Sequence, residues 1–586
     1  MLLQNVTTAP IRPFARHAAS GDDRIVLAQA MPHDREEIYR IRHDIYAREL
    51  RQHQTNAAGR LTDALDDHNL YLVARCGGAL AGFVSITPPT APALSIDKYV
   101  ARSALPYAVD DGLYEIRLLT VLRPHRGQNV AMLLMYGAFR WVESHGGRQI
   151  AAIGRREVLD LYLKAGLRSI GRSTTSGEVT YEFLHVTIDE LRARTDDFAD
   201  LFKRLESRTD WRLQFPFHQP APCFHGGAFF EAVGERFDDL SRHQNIINAD
   251  VLDAWFSPAP GVLQALQAEL PWLLRTSPPT ACSGLVQAIA EARGVAPANL
   301  LPGGGSSDLI FRAFRQWLTP RSHALILDPT YGEYAHVLEK VIRCRVDRLP
   351  LEPVHGYAVD LDRLEAALAD RYDLVVLVNP NSPTGRHVPR EDLERLLRRA
   401  PSSTRVWVDE TYVDYVGAGE SLEHFAAKSE NIVVCKSMSK VYALSGARVA
   451  YLCAGPHQLE ELRAITPPWV VSLPAQVAAV RALASRAYYA DRYAETRRLR
   501  AALAAALSAL GWDVLPGVAN FLLARLPARG PDAETLVRVC RQHGLFLRNA
   551  ALMGTSLGSH AVRIAVKDAA TNARMVEIIT AQPLSV

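Results

Sequence analysis

The sequence predicts an α/β protein built in two parts, and three observations carry that reading. In the second half, three apolar runs, Leu374-Val375-Val376-Leu377-Val378, Val406-Trp407-Val408 and Asn431-Ile432-Val433-Val434-Cys435, each lead to a residue capable of chemistry. Uninterrupted runs of this kind, flanked by helical patterns, read as strands of a parallel sheet covered on both faces. In the first half, residues 113–121 alternate like a strand and pass through a turn into an apolar helix. Between residues 192 and 227 the pattern loosens into a charged helix and then Phe215-Pro216-Phe217-His218-Gln219-Pro220-Ala221-Pro222-Cys223, a density of prolines that marks a connector.

At 586 residues the chain exceeds one typical core, so two or more domains are expected. The composition is globular, and a net charge of +3 gives no reason to invoke nucleic acid or an anionic membrane as a partner. The seven cysteines are scattered and never form a C-x-x-C pair, which argues against a disulfide framework and a zinc ribbon. A cytoplasmic protein fits best. Residues 1–24 read as a loose tail, 25–190 as a first domain, 191–240 as a linker and 241–586 as a second domain, its larger part about 275–475. The smaller part takes 241–274 and 476–586. The most apolar stretch, residues 501–511, is too short to span a bilayer and reads as a core helix.

In the first domain the strand at 113–121 is followed by Leu122-Arg123-Pro124-His125-Arg126-Gly127-Gln128-Asn129-Val130-Ala131. A strand feeding a turn at a helix start makes an anion site suited to a pyrophosphate. In the linker, His218, Cys223 and His225 lack a fourth ligand and a standard metal spacing, so no metal is expected.

In the second domain the strand ends should line one crevice, where open α/β sheets bind ligands. Lys440 follows one of them, in Cys435-Lys436-Ser437-Met438-Ser439-Lys440, and suits an amine that bonds to a cofactor aldehyde and later shuttles protons. Asp409 follows another and can hold a pyridine nitrogen protonated, while Tyr412 can reach a ring hydroxyl. Asn379 ends the third run and is expected to bind the cofactor as well. Leu301-Pro302-Gly303-Gly304-Gly305-Ser306-Ser307-Asp308 offers a glycine turn before a helix, so Gly305, Ser306 and Ser307 can donate to a phosphate. Ser437 and Arg448 complete that cup.

In this combination, residues from about 245 to 585 resemble the fold-type-I pyridoxal phosphate aminotransferases, in the branch of histidinol-phosphate aminotransferase and threonine-phosphate decarboxylase. The family's S-x-S-K and downstream arginine are matched by Ser437, Lys440 and Arg448, and its D-x-x-Y by Asp409 and Tyr412. The resemblance implies a large, mostly parallel doubly wound domain with a smaller α/β domain, bound pyridoxal 5'-phosphate and a homodimer. It further implies that Tyr331 stacks on the cofactor ring, that Arg563 grips the substrate α-carboxylate, that Arg548 anchors a distal anion, and that Asn520 lies on a small-domain strand by the substrate. The chain departs from the pattern at Ser382, where the family has a second asparagine, and at residues 252–258 and 275–279, where an entry motif and a tyrosine are missing.

Residues from about 25 to 185 resemble the GNAT acyltransferases, a mixed sheet with helices, through Arg126, Gly127 and Ala131 of the motif R-G-x-G-x-A. That resemblance implies acetyl-CoA or another acyl-CoA as co-substrate, Tyr162 as the acid that protonates the leaving thiolate and Glu115 as the base for an attacking amine. Residues 38–46 and 63–74 are similar to the autoinducer-synthase and N-acyl-amino-acid-synthase branch, which implies an amino-acid-like acceptor. The leading expectation is a bifunctional biosynthetic enzyme coupling an aminotransferase-like step on an amino acid or amine to N-acylation. Decarboxylation or side-chain elimination or replacement stays open for the first step. A ligand-sensing regulator would need a DNA-binding half, and residues 1–240 show no helix-turn-helix with a basic face.

Overall fold

The computed structural model describes residues 24–217, 223 and 225–581. Of the expected tail, residues 1–23 lie outside this description. The chain divides into two compact units, Met1–Gln219 and Pro220–Val586.

The first unit is an eight-stranded sheet of β1 (Ile25–Gln29), β2 (Leu70–Cys76), β3 (Ala79–Thr87), β4 (Leu113–Val121), β5 (Gln149–Arg155), β6 (Arg168–Ser176), β7 (Val179–Thr187) and β8 (Thr209–Trp211). Their order is β6-β7-β5-β4-β3-β2-β1-β8, antiparallel except for β4 with β5 and β1 with β8. The β4–β5 register covers Leu113–Ile116 against Gln149–Ala152 and then ends. Just beyond, Leu118 takes a φ of 53° and the register of β4 against β3 shifts. A bulge bends and re-aims a strand, so the two parallel strands part here and leave a cleft.

Helices α1 (Pro32–Arg42), α2 (Val130–Ser144), α3 (Leu159–Lys164), α4 (Ile188–Asp197) and α5 (Ala199–Ser207) accompany the sheet. On α2, Val130, Leu133, Leu134, Ala138 and Val142 are buried in one core with Leu72, Val84 and Ile86. The segment expected to start the linker instead belongs to this unit. Phe202 and Leu205 of α5, with Leu213 and Phe217 beyond β8, are buried in the same core, and the Tyr136 ring lies 4.3 Å from that of Phe202. Large apolar side chains at helical spacing gain more from burial than a solvated connector could offer. The proline cluster at 218–222 falls outside the described residues.

The second unit contains β9 (Ile247–Asn248), β10 (Leu300–Gly303), β11 (His323–Asp328), β12 (Arg345–Pro350), β13 (Leu374–Val378), β14 (Arg405–Asp409), β15 (Ile432–Ser437) and β16 (Ala450–Cys453). It continues with β17 (Asp513–Val514), β18 (Phe521–Arg525), β19 (Leu545–Phe546), β20 (Arg548–Asn549) and β21 (Ala561–Ala565). The large sheet runs β10-β16-β15-β14-β13-β11-β12, parallel apart from β16. Alternation along β13 splits it between two cores: Val375 and Leu377 pack on one face, Leu374, Val376 and Val378 on the other. This is why the run shows no polar alternation in sequence. A second, antiparallel sheet runs β17-β18-β21-β20. Among the described residues no helix is long and apolar enough to cross a membrane; residues 501–509 end the helix Arg486–Ala509.

Candidate active site

A cavity of about 780 Å³ opens at the carboxyl ends of β13, β14 and β15 in the second unit. Lys440 lies in the helical turn Met438–Val441 directly after β15, and its Nζ donates to Asp253 Oδ1 at 2.8 Å and to Ser445 Oγ at 3.4 Å. Burial pulls the Lys440 ammonium below its ordinary pKa, and Asp253 opposes that pull. Asp409, the last residue of β14, accepts from the Tyr334 hydroxyl at 2.7 Å and from the Thr411 N–H and hydroxyl at 2.9 and 2.6 Å. Burial pushes its carboxyl up and the carboxylate of Glu333 adds to this, while the hydrogen bonds from Thr411 and Tyr334 pull the other way.

The helix Ser306–Trp317 begins at the same cavity, which Ser306, Ser307, Ser437, Ser439 and Arg448 line. Gly305, at φ 99°, precedes the helix, and a Cβ there would run into the Arg448 guanidinium. Unpaired N–H groups of a first turn beside a guanidinium make an anion cradle. Tyr331 and Tyr412 line the cavity too, and Tyr331 donates to Glu333 Oε2 at 2.7 Å. On the opposite wall Arg563 of β21 is buried, donates to the Asp250 carbonyl at 3.0 Å and to Ser382 Oγ at 3.3 Å, and has no partner for Nε among the described residues. Burial brings its pKa down to about 10.

In the first unit, two cavities meet at Tyr162 of α3. One, of about 330 Å³, is walled by apolar residues of β4, β5, α2, α4 and α5; the other, of about 230 Å³, is lined by Arg42, His53, Asp63, Lys98, Arg117 and Tyr181 among others. Burial pushes the Tyr162 hydroxyl above its ordinary range. Arg126 and Gly127, the latter at φ 83°, precede α2, and Ala131 lies in its first turn. The Arg126 guanidinium donates to Glu49 Oε1 at 3.0 Å and to the Val121 carbonyl at 3.1 Å.

The family profile for Aminotransferase class I and II matches residues 255–579, more than half of the chain. The chain belongs to this aminotransferase family. Residues 32–167 match the Acetyltransferase (GNAT) family, so a GNAT domain precedes the aminotransferase. A histidinol-phosphate aminotransferase of Moorella thermoacetica is 31% identical over 300 residues, covering 51% of this chain and 76% of that protein. An aromatic amino acid aminotransferase of Streptomyces coelicolor is 31% identical over 319 residues, covering 54% and 85%. The solved histidinol-phosphate aminotransferase from Sinorhizobium meliloti, in complex with pyridoxal-5'-phosphate, shares the fold at a TM-score of 0.51 and 24% identity, covering 58% of this chain and 93% of that one.

The aminotransferase unit thus gathers Lys440, Asp409, Tyr412, Ser437, Arg448, Ser306, Ser307, Tyr331, Arg548 and Arg563 around one cavity. Three expectations need correction. The Asn379 side chain is spent on Val388, donating to its carbonyl at 2.9 Å and accepting from its N–H at 2.8 Å, so it braces the loop; Ser382 lines the cavity instead. Asn520 is fully buried and donates to the Leu252 carbonyl at 3.0 Å, supporting the wall behind the site. In the GNAT domain Glu115 is fully buried and accepts from the Ser95 N–H and hydroxyl and the Ile96 N–H at 2.7, 2.6 and 3.1 Å. It caps the turn Ser95–Lys98 and is no open base. Asp250 and Asp253 carry no local sequence signal beyond the departure at 252–258; Glu333 lies two residues after Tyr331, and His225 stands out in sequence only beside His218 and Cys223.

Proposed function

We propose that the chain is a bifunctional enzyme that transfers an amino group with pyridoxal phosphate at the second unit and acylates an amine from an acyl thioester at the first. The observation that carries the cofactor reading is Asp409: a buried carboxylate at a strand end, facing a cavity, with hydroxyl donors but no cation beside it among the described residues. That is the environment a protonated ring nitrogen would complete. The cradle of Ser306, Ser307, Ser437 and Arg448 fits the phosphate, and Lys440 lies within the same cavity to bond to the aldehyde. When bound, pyridoxal phosphate supplies an electron sink for the bonds at the substrate α-carbon. Lys440 would take the proton from that carbon and return it, Arg563 would hold the α-carboxylate, and Tyr331 and Tyr412 would help to hold the ring. The names of the curated relatives support an α-amino donor.

In the GNAT domain the acyl thioester enters the cleft where β4 and β5 part, and the acceptor amine enters the polar cavity. The amine nitrogen attacks the thioester carbonyl, the C–S bond breaks, and Tyr162 gives its proton to the departing thiolate. With Glu115 committed to a turn, His53 is the residue on the acceptor side that can take the amine proton, since desolvation holds its imidazole below the ordinary pKa. The test is mass spectrometry of products from the purified chain given amino donors, keto acids and acyl thioesters. Lys440→Ala should lose the visible absorbance of bound cofactor and the keto product, and Tyr162→Phe should lose only the acylated product. Retention of both products in both variants would overturn the reading.

A further inference from the structure

Arg548 of β20 and Arg563 of β21 are directly opposed in the antiparallel pair, so their side chains leave the sheet on the same face. Both are buried, and both line the cavity. Two like charges so placed repel each other and call for a fixed anion. Asp250 supplies it. Its Oδ1 lies 3.5 Å from Arg548 Nε, and its backbone carbonyl accepts from Arg563 at 3.0 Å.

The carboxylate of Asp250 is also clamped. Its Oδ2 accepts from the Gly227 N–H at 3.0 Å, and a Cβ on Gly226 would come within 2.8 and 2.9 Å of its two oxygens. Only a glycine lets the chain press so closely on the carboxylate, and that contact keeps Asp250 against Arg548. A second buried carboxylate stands behind the lining: Glu333 accepts from the Tyr331 hydroxyl at 2.7 Å and lies 3.6 Å from His225 Nε2, and its Oε1 has no hydrogen-bond donor among the described residues. At the rim, Arg348 is already paired with Glu339 at 2.5 Å.

Asp250 beside Arg548 offsets one of these two guanidinium charges, and Arg563 keeps its own for the α-carboxylate. We propose that this site takes amino acids whose side chain carries no anionic group, and that Asp250 excludes a distal phosphate or carboxylate by occupying Arg548. The apolar lining from Val251, Leu252, Ala551, Leu552 and Met553 suits an uncharged side chain. This rests on the aminotransferase reading and narrows its substrate class.

The test uses the holoenzyme and two unreactive ligands of similar length, α-methyl-L-methionine and α-methyl-L-glutamate, with binding followed through the cofactor's visible absorbance. Wild type should bind the methionine analogue about tenfold or more tightly than the glutamate analogue, and Asp250→Asn, which removes the carboxylate beside Arg548, should shift that ratio toward glutamate by about tenfold or more. Preference of wild type for the glutamate analogue, or an unchanged ratio in Asp250→Asn, overturns the proposal. Should Asp250→Asn fail to fold, the wild-type ratio decides alone. Keto-product formation from methionine and glutamate is measured in parallel. Absence of any keto product with the expected binding ratio would sink transamination and leave the side-chain preference standing.

Discussion

Asp253 sets the charge on Lys440, and removing it should make the lysine more reactive. At 2.8 Å, two unit charges attract by about 1.5 kcal/mol in water and about 6 kcal/mol at an effective dielectric of about 20. Asp253 keeps 34% of its side chain exposed and Lys440 18%, so solvent screening places the pair toward the weaker end. Asp253→Asn should therefore lower the Lys440 pKa. The direction follows from the geometry: burial already disfavours the ammonium, and the carboxylate is what opposes it. The assay is labelling of the apoprotein with an amine-selective reagent across pH, with Lys440 modification read by peptide mass spectrometry. The midpoint should fall in the variant, and labelling near pH 7 should speed up. An unchanged midpoint, or one that rises, would refute the electrostatic argument.

Asp414 makes bonds of 2.9 Å with both Arg293 and Lys436 beneath the site, and Asp414→Asn should cost about 3–5 kcal/mol by leaving those cations underpaired. Burial pushes the Asp414 carboxyl up, yet Arg293 and Lys436 hold it well below the usual range. Its contribution is therefore present above the ordinary carboxylate pKa of about 3.9 and lost as pH falls through the depressed one, so the difference in thermal midpoint from wild type should stay level above about pH 5 and close in acid. A gap that widened in acid would contradict this. Gly305→Ala, with its left-handed φ and the collision with Arg448, should weaken cofactor retention by about tenfold in an absorbance titration. Full retention would speak against the phosphate cradle. Glu115→Gln should lower the thermal midpoint, at about 1–3 kcal/mol for each donor left unsatisfied, while the pH profile of acyl transfer keeps its shape. Loss of the alkaline-rising limb in that variant would restore Glu115 as the base.

What could be read directly from the sequence lies within a few residues of a strand end. Lys440, Asp409, Ser437 and Tyr412 follow apolar runs that only a doubly covered parallel strand explains, and Gly305 with Ser306 and Ser307 opens a helix after a strand. Alternation of faces and the start of a helix are local, so residue order carries them. Asn379 misled because it too ends a strand; whether an amide turns inward or bonds the returning loop at Val388 depends on how that loop packs. The connector misled for the same kind of reason, since charge and prolines hid four apolar side chains that find a core only against α2.

By itself the sequence determined the two-part α/β plan, the family of the second part and many of the residues that line its cavity. Tertiary structure alone decided what surrounds them. Asp253 reaches Lys440 across 187 residues of chain, and Asp250 stands between two arginines some 300 residues further on. No spacing rule relates such positions, because their meeting is set by how sheets and loops pack, and with it the charge balance around the cavity.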